Sequence, residues 1–286
     1  MSKQMKIHEV LSWASLFLRR NNKEESAALL LFEHHLGWDR SKIYANLQDE
    51  IPGAVEQSFK QDVRAHVETG IPVQHLIGST EFYGRDFKVN GDVLIPRFET
   101  EELVEEALRI IQSSEDEIKI IVDIGTGSGV IATSIACEAP RTCVYATDIS
   151  EAALDIAREN MTTHGASVTC CQGNFAQPLI DEEICVQMIV SNPPYIAYSE
   201  REELSETVRE YDPSLALFAD NDGLAAYEEI IKQAKQVLAT KGVLLFEIGS
   251  TQGKSVTKII RQAFPTSDIA ILQDINGKDR IVRAFI

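Results

Sequence analysis

The sequence predicts an α/β protein in which a doubly wound domain with a seven-stranded, mostly parallel sheet follows a small helical domain and a β-hairpin linker. From about residue 100 onward, short apolar segments alternate with amphipathic ones, which is typical of strands alternating with helices. The first seventy residues show helical periodicity only, and residues 71–96 switch to extended character. We therefore divide the chain into residues 1–72, 73–97 and 98–286.

Three helices are predicted in the first part. Apolar residues recur at helical spacing in the first of them, at Ile7, Val10, Leu11, Ala14 and Leu18. An apolar segment from Ala27 to Leu36 is closed by Gly37. A third helix begins near Pro52 and ends at Gly70, since proline suits a first turn and glycine a C-terminal exit.

The linker is predicted as a β-hairpin that turns at Asn90-Gly91. This dipeptide stands between the segments DFKV and DVLI, and Asn-Gly is a strong short-range signal for a tight hairpin turn.

Seven strands and five helices are predicted in the last part. The strands are Lys119–Ile124, Cys143–Ile149, Val168–Gln172, Val186–Ser191, Val243–Ile248, Ile269–Asp274 and Ile281–Phe285. The helices lie near residues 100–112, 129–138, 151–163, 223–239 and 252–264. A short connection containing Asn276-Gly277 joins the last two strands, so we expect these two to be antiparallel.

The charge of the chain is concentrated in its second part. Residues 1–90 carry a net charge of −1, and residues 91–286 carry −16. An acidic surface repels phosphate backbones, so we expect no direct nucleic-acid binding and favour a basic protein partner. The alternative is that the acidity contributes only to solubility.

Composition also restricts location and metal chemistry. No apolar segment approaches the roughly 20 residues that span a bilayer, so no membrane association is expected. The five cysteines are odd in number and form no CxxC pair, which disfavours a disulfide framework and a zinc site. We expect a cytoplasmic protein with reduced thiols, without a metal and monomeric.

A glycine-rich turn marks the first candidate site. The segment IIVDIGTGSGVIA runs from a predicted strand into a helix through Gly125, Gly127 and Gly129, and such a turn leaves helix N-terminal amides free for a ligand. The next strand ends in Asp148, 19 residues after Gly129, where a carboxylate can accept both hydrogen bonds of a ribose diol. Together they indicate a nucleoside ligand, whereas the turn alone would be compatible with a structural role.

The spacing of the glycines distinguishes between the possible nucleoside ligands. A dinucleotide site requires G-x-G-x-x-G, but Val130 occupies the sixth position, which makes NAD the weaker choice. The GxGxG form resembles motif I of S-adenosylmethionine-dependent methyltransferases. That resemblance implies that Asp123 and the loop, including Thr126 and Ser128, surround the methionine part of the cofactor. It also implies that Asn174 and Phe175, after the third strand, contact adenine.

A second glycine segment, Gly249 to Ser255, also lies between a strand and a helix. It has three residues between its glycines where a phosphate-binding P-loop has four, so a nucleotide triphosphatase is disfavoured.

The segment Asn192-Pro193-Pro194-Tyr195 follows the fourth strand and is the candidate catalytic site. An amide or exocyclic amino nitrogen is a poor nucleophile because its lone pair is delocalised. Two acceptors must hold its N–H groups while the lone pair faces the methyl donor. The Asn192 side-chain oxygen and the Pro193 carbonyl can be these acceptors, with Tyr195 as a wall for the planar target. Correct alignment alone can contribute roughly 7–11 kcal/mol.

The chain as a whole resembles the release factor glutamine methyltransferases. The motifs that carry the resemblance are FYGRDFKVNGDVLIPRFETEELVEEAL, DIGTGSGVIA, ATDIS, SNPPYI, DNDGLAAYEEI, FEIGSTQG and NGKDR. It implies a Rossmann-like class I methyltransferase domain that methylates the glutamine of the Gly-Gly-Gln motif in peptide chain release factors, using S-adenosyl-L-methionine. The loop from Asn192 to Tyr195 would bind that glutamine, with Asn192 also near the cofactor, and the helical domain would dock the release factor.

Three residues depart from the family's usual pattern. Phe98 stands where proline is usual, Asn174 where aspartate is usual, and Asp212 where glutamate often precedes Pro213. Asn174 keeps an acceptor oxygen but makes an uncharged, weaker bond.

Other functions remain open on the sequence. An adenine-N6 methyltransferase acting on DNA or RNA would share the NPPY chemistry but should have a basic face. A non-catalytic module that binds the cofactor would be expected to lose Asn192 or the two prolines. A small-molecule methyltransferase would leave the IPRFETE segment and the helical domain without a role.

Overall fold

The computed structural model describes residues 4–114 and 119–286. The chain divides into two compact units. The first comprises Met1–Gly78 together with Glu206–Tyr211, and the second comprises Ser79–Ser205 and Asp212–Ile286. The inclusion of residues 206–211 in the first unit had no counterpart in the sequence patterns.

The first unit is helical, as predicted. Its helices are α1 (Ile7–Arg20), α2 (Ser26–Leu36), α3 (Arg40–Ala45), α4 (Gly53–Thr69) and α5 (Val73–Ile77). Their apolar faces form one core, in which Phe32 and Phe59 meet edge to face with ring centroids 4.8 Å apart. The short helix Glu206–Tyr211 joins this unit, where the Tyr211 hydroxyl donates to the Thr69 carbonyl over 2.5 Å.

The hairpin exists, but its predicted turn is wrong. The strands are β1 (Ser79–Phe82) and β2 (Arg85–Lys88), and they turn at Tyr83-Gly84. Both turn residues have positive φ, 50° and 69°, as a type I′ turn requires. Asn90-Gly91 instead forms a local turn in which the Asn90 side-chain oxygen accepts from the Asp92 amide over 2.9 Å.

The second unit contains a seven-stranded, mostly parallel sheet, as predicted. Its strands, with two short ones outside the sheet, are β3 (Ile120–Ile124), β4 (Cys143–Asp148), β5 (Val168–Gln172), β6 (Val186–Ser191), β7 (Ile196–Ala197), β8 (Phe218–Ala219), β9 (Leu238–Glu247), β10 (Asp268–Gln273) and β11 (Asp279–Phe285). The order is β10-β11-β9-β6-β3-β4-β5. Strand β11 pairs antiparallel with both β9 and β10, which confirms the expected antiparallel end.

Helices cover both faces of this sheet. The helices after the hairpin are α6 (Phe98–Ser113), α7 (Val130–Glu138), α8 (Glu151–Thr163), α9 (Gln177–Asp181), α10 (Glu206–Tyr211), α11 (Ser214–Leu217), α12 (Asp220–Gly223), α13 (Ala225–Val237) and α14 (Gly253–Ala263), with a 3-10 helix at Tyr198–Glu203. All of them except α10 belong to the second unit. One apolar core packs α6, α7 and α8 against the sheet, and the other packs α9, α13 and α14 on the opposite face. The second unit therefore folds as helix, sheet and helix layers.

The strand order determines where a ligand can bind. From β3 the chain proceeds through β4 to β5 on one side, and then returns to β6 on the other side of β3. In such sheets a crevice opens at the carboxyl ends of the strands beside the point of reversal. The segments after β3, β4 and β6 therefore converge there. Within the described residues, no helix combines the length and apolar character needed to cross a membrane.

Candidate functional site

A cavity of about 380 Å³ lies at the carboxyl ends of β3, β4 and β6, within the second unit. Its volume is in the range of small-molecule sites, roughly 300–1,000 Å³. Its lining includes the following predicted site residues: Gly125, Thr126, Gly127, Ser128, Asp148, Asn174, Phe175, Asn192 and Pro194. Residues far apart in the sequence thus meet at one cavity.

The glycine loop after β3 is bound to the end of β4 by backbone hydrogen bonds. The amides of Gly125 and Thr126 both donate to the Thr147 carbonyl, over 2.8 and 3.0 Å. The next amide, of Gly127, donates to the Asp148 carboxylate over 2.9 Å. This arrangement fixes the loop at the N-terminus of α7, where amide groups are available to a ligand.

Gly129 allows close packing rather than ligand contact. It adopts a φ of +81° at the start of α7, and a Cβ there would lie 3.0 Å from the Ala157 Cβ and 3.2 Å from the Ala157 Cα. Gly129 does not line the cavity, so the structure places this predicted site residue between α7 and α8.

We expect Gly129→Ala to lower the free energy of unfolding by about 2–4 kcal/mol, from left-handed backbone strain plus overpacking. Chemical denaturation measures the effect. Gly165→Ala is the control, because its φ is +65° but a Cβ would meet nothing within 4 Å. A similar loss in both variants would show that the contact with Ala157 contributes nothing.

Asp148 lies half-buried at the cavity wall and accepts two backbone hydrogen bonds. Its Oδ2 accepts from Gly127 and its Oδ1 from the Ser150 amide, each over 2.9 Å. A carboxylate oxygen has a second lone pair, so both oxygens can still accept a hydroxyl from a ligand. The placement suits the predicted ribose contact.

Asp123 lies beneath the glycine loop and does not line the cavity. Its Oδ2 accepts from the Thr126 hydroxyl over 2.6 Å and from the Ala132 amide over 3.2 Å. Complete burial raises the pKa of this carboxyl from 3.8 to about 7, and these bonds oppose the shift. The geometry gives Asp123 a supporting contact to the loop rather than the predicted direct contact to a ligand.

Asn174 and Phe175 line the cavity after β5, the strand that pairs with β4 beside Asp148. Phe175 has a φ of +53°, which is uncommon for a bulky residue. The following amide, of Ala176, donates to the buried Gln233 side-chain oxygen over 2.7 Å, which holds the backbone here. The strained conformation turns an aromatic side chain into the cavity wall, as contact with a flat base requires.

The loop after β6 contributes Asn192 and Pro194 to the cavity, whereas Pro193 and Tyr195 do not line it. The Tyr195 ring packs instead against the core under α13 and α14. Its burial raises the pKa of the phenol from 10.0 to about 12. The role of Tyr195 as a wall for the target group therefore stays a prediction, and its position in this structure is that of an anchor for the loop.

Gln252, the residue immediately before α14, supports the same loop. Its Nε2 donates to the Tyr195 carbonyl over 2.9 Å, while its Oε1 accepts from the Gly249 amide over 3.1 Å. Gly223 also approaches closely, since a Cβ there would lie 2.1 Å from the Tyr195 carbonyl oxygen. The segment beginning at Gly249, considered above as a phosphate loop, thus positions the segment after β6.

Two polar residues at the site were missed by the sequence analysis. Thr100, 3% exposed, lies in the first turn of α6 and lines the cavity, and Glu247, 2% exposed, ends β9. Thr100 belongs to the segment IPRFETE, so the motif was noted but this residue was not singled out. Glu247 ends an apolar strand, and that position at the carboxyl edge of the sheet was an available signal.

The structure locates the three residues that depart from the family's usual pattern: Phe98, Asn174 and Asp212. Phe98 begins α6 and is 79% exposed, and it does not line the cavity. Asp212 is buried and accepts from the guanidinium of Arg97, a cavity residue, over 2.9 Å. Asn174 is exposed at the wall. Asp212 therefore helps to position the segment before α6.

Burial raises the pKa of Glu247 from 4.5 to about 7, while its bond from Thr100 and the charge of Arg280 oppose the shift. Between pH 4.5 and 7 the folded chain keeps a proton that the unfolded chain has lost, so stability falls as pH rises. We expect Glu247→Gln to remove this contribution, up to about 3 kcal/mol. Urea unfolding at pH 5 and pH 7.5 measures it. Equal pH dependence in both proteins would refute a raised pKa at Glu247.

Two family models match the chain. One describes the PrmC N-terminal domain and matches residues 9–78, and the other describes the methyltransferase small domain and matches residues 104–209. Among curated relatives, the release factor glutamine methyltransferase of Bacillus anthracis is 41% identical over 99% of this chain and 100% of its own length. That of Bacillus subtilis (strain 168) is 44% identical over 98% of each chain.

Solved structures show the same fold at low identity. The hMettl16 catalytic domain in complex with the MAT2A 3′UTR hairpin 6 has a TM-score of 0.52 at 14% identity, covering 82% of this chain and 81% of its own. The Thermus thermophilus 16S rRNA N2 G1207 methyltransferase, in complex with AdoMet and guanosine, has a TM-score of 0.50 at 13% identity, covering 72% and 49%. These similarities are evidence of the fold alone.

Proposed function

Because this chain belongs to the release factor glutamine methyltransferase family, we propose that it methylates the side-chain amide nitrogen of the glutamine in the Gly-Gly-Gln motif of peptide chain release factors. The similarity to these relatives confirms the family that the motifs predicted, and the chain is an S-adenosylmethionine-dependent enzyme. Glutamine is favoured over adenine, since the relatives that match nearly the full length bear the glutamine name. The observation that carries the chemistry is that Asn192 opens on the same cavity as the glycine loop and Asp148.

The polar groups of the cavity fit S-adenosylmethionine. Asp148 has lone pairs free for a ribose diol, Gly125 and Gly127 let a ligand approach the backbone without a Cβ in the way, and Phe175 offers an aromatic face for adenine. Asn174 can accept from the adenine amino group. When bound, the cofactor supplies the electrophilic methyl group of its sulfonium.

In the proposed mechanism, the Asn192 side-chain oxygen and the Pro193 carbonyl accept hydrogen bonds from the two N–H groups of the target amide. This holds the nitrogen with its lone pair free of hydrogen bonds and aimed at the methyl group. Transfer would form the N–C bond as the methyl–sulfur bond of the sulfonium breaks, leaving a neutral thioether, and the nitrogen would then lose one of its two protons to water. The product is a secondary amide with a single N–H, which satisfies only one of the two acceptors and so binds less well than the substrate amide.

We further propose that residues 1–72 dock the release factor, followed by a linker at 73–97 and the catalytic domain at 98–286. The net charge of −16 on residues 91–286 suits attraction of a basic, RNA-binding protein to the catalytic domain, whereas the helical domain, nearly neutral, would dock it by other contacts.

The test is transfer of labelled methyl from S-adenosylmethionine to a purified release factor. Three other substrates run beside it: the factor with its Gly-Gly-Gln glutamine changed to alanine, a short Gly-Gly-Gln peptide, and DNA. We expect label on the intact factor, none on the alanine variant or DNA, and less on the peptide because it lacks the docking surface. Label on DNA would contradict the proposed substrate, and equal rates on factor and peptide would contradict docking.

A further inference from the structure

A chain of two hydrogen bonds lies behind Asn192. The Nδ2 of Asn192 donates to the Thr100 Oγ1 over 3.3 Å, and that hydroxyl donates to the Glu247 Oε2 over 2.7 Å. Thr100 and Glu247 are both almost fully buried, so water competes little for the bond between them, whereas Asn192 is half-buried at the cavity. The chain joins three elements that are distant in sequence: the first turn of α6, the end of β9 and the segment after β6.

The order of donors and acceptors in these two hydrogen bonds determines which way the Asn192 amide faces. A threonine hydroxyl has one hydrogen, and an ionised Glu247 can only accept. The Thr100 hydrogen therefore goes to Glu247, and only lone pairs remain for Asn192. The NH2 end of the amide must face Thr100, which turns its oxygen to the other side. The opposite orientation would present a donor to the target nitrogen, which itself carries only N–H donors.

We propose that Thr100, anchored by Glu247, is a positioning residue that holds the Asn192 amide with its oxygen free for the target nitrogen. This inference rests on the proposed function for its catalytic consequence. The orientation of Asn192 itself depends only on the hydrogen-bond chain. Neither Thr100 nor Glu247 has to touch the target for this role.

The orientation of the Asn192 amide depends on pH, because the hydrogen-bond chain ends at the ionisable Glu247. Arg280 and Arg97 favour the ionised carboxylate, Glu99 opposes it, and the neutral phenol of Tyr195 lies near it. The hydroxyl of Tyr227, on α13, donates to the Glu247 backbone carbonyl over 2.8 Å and so faces the backbone rather than the carboxylate. A protonated Glu247 would donate to Thr100, whose own hydrogen could then turn to Asn192 and favour the reversed amide.

The first experiment compares Thr100→Val, which removes the hydroxyl at nearly constant shape, with Thr100→Ser, which keeps it. We expect kcat to fall about 10- to 100-fold in Thr100→Val, since misplacement of one reacting group costs about that much, with the Kd for S-adenosylmethionine changed less than about threefold. Thr100→Ser should recover most of the loss. Thr142→Val is the matched control, because the Thr142 hydroxyl donates to the Ala139 carbonyl away from the cavity.

Combination with Asn192→Ala separates positioning from simple damage. If Thr100 acts through Asn192, Thr100→Val should cause no further loss of kcat in the Asn192→Ala background. A full additional loss there, or an unchanged kcat in Thr100→Val alone, would overturn the inference.

The kcat of the wild type should also rise with pH across about pH 6–8, and Glu247→Gln should flatten that rise.

A second measurement does not depend on methyl transfer. The side-chain amide signals of Asn192 in a nitrogen-15 correlation spectrum can be assigned by their loss in Asn192→Ala. We expect them to shift in Thr100→Val and to stay near their wild-type positions in Thr100→Ser. Unchanged signals in Thr100→Val would refute the hydrogen-bond chain. If the wild type did not methylate release factors, the proposed function would fail, and these signals would still decide the orientation of Asn192.

Discussion

Asn192→Ala is expected to lower kcat for release factor methylation by about 100- to 1,000-fold. The variant removes one of the two acceptors that hold the target amide, and the loss of one preorganised hydrogen-bonding group in other active sites costs about that factor. Asn192 lines the cavity beside the glycine loop, but the cofactor is proposed to be held chiefly by Asp148 and Phe175. The Kd for S-adenosylmethionine should therefore change by less than about fivefold.

The measurement is single-turnover transfer of labelled methyl, with cofactor affinity measured separately by calorimetry. Asn276→Ala is the control, since Asn276 is exposed in the turn between β10 and β11 and does not line the cavity. It should match the wild type in both measurements. Equal losses of kcat and of cofactor affinity in Asn192→Ala would contradict the role assigned to this side chain.

Asp148→Ala is expected to weaken S-adenosylmethionine binding by at least about 100-fold. Each hydrogen bond to an ionised group contributes about 1.5–3 kcal/mol, and the proposed ribose contact has two. The substitution also removes the acceptor for the Gly127 and Ser150 amides, so the glycine loop loses one of its three hydrogen bonds to the end of β4. Both effects act on the cofactor site.

Calorimetric titration of the full chain with S-adenosylmethionine measures this loss. Asp155→Ala is the matched control, because Asp155 is an exposed carboxylate on α8 that pairs with Arg158 and does not line the cavity. Thermal unfolding without cofactor shows whether Asp148→Ala remains folded. An affinity equal to that of the wild type in a folded Asp148→Ala would rule out the ribose contact.

Much of the fold followed from local patterns. The strands Val168–Gln172 and Val186–Ser191 were predicted with their observed bounds, because apolar β-branched segments between polar turns have few other stable conformations. The hairpin turn was misplaced because Asn90-Gly91 is a common turn pair, whereas Tyr83-Gly84 is not. A tyrosine with φ of 50° is unfavourable locally and is stabilised by contacts from elsewhere in the fold, including the bond from its amide to Glu101 over 2.8 Å.

The candidate site was predicted in part. Loop glycines, Asp148 and Asn192 follow strands directly, and strand ends meet at one edge of a parallel sheet, so sequence position was sufficient to bring them together. Asp123 was predicted to surround the cofactor, yet its side chain is buried beneath the loop. Successive side chains at the end of a strand point to opposite faces of the sheet. A residue one position earlier or later therefore faces the ligand instead of supporting the loop, and the sequence alone does not show which of the two it does.

The sequence by itself determined the family, the chemistry of the reaction and the order of helices and strands, because these depend on residue types at short spacing. Only the tertiary structure placed Thr100, 92 residues before Asn192, and Glu247, 55 residues after it, in one hydrogen-bond chain. It also showed that residues 206–211 belong to the helical unit. Such contacts depend on how separate elements pack together, and side-chain hydrogen bonds across large sequence separations leave no periodic pattern in the chain that forms them.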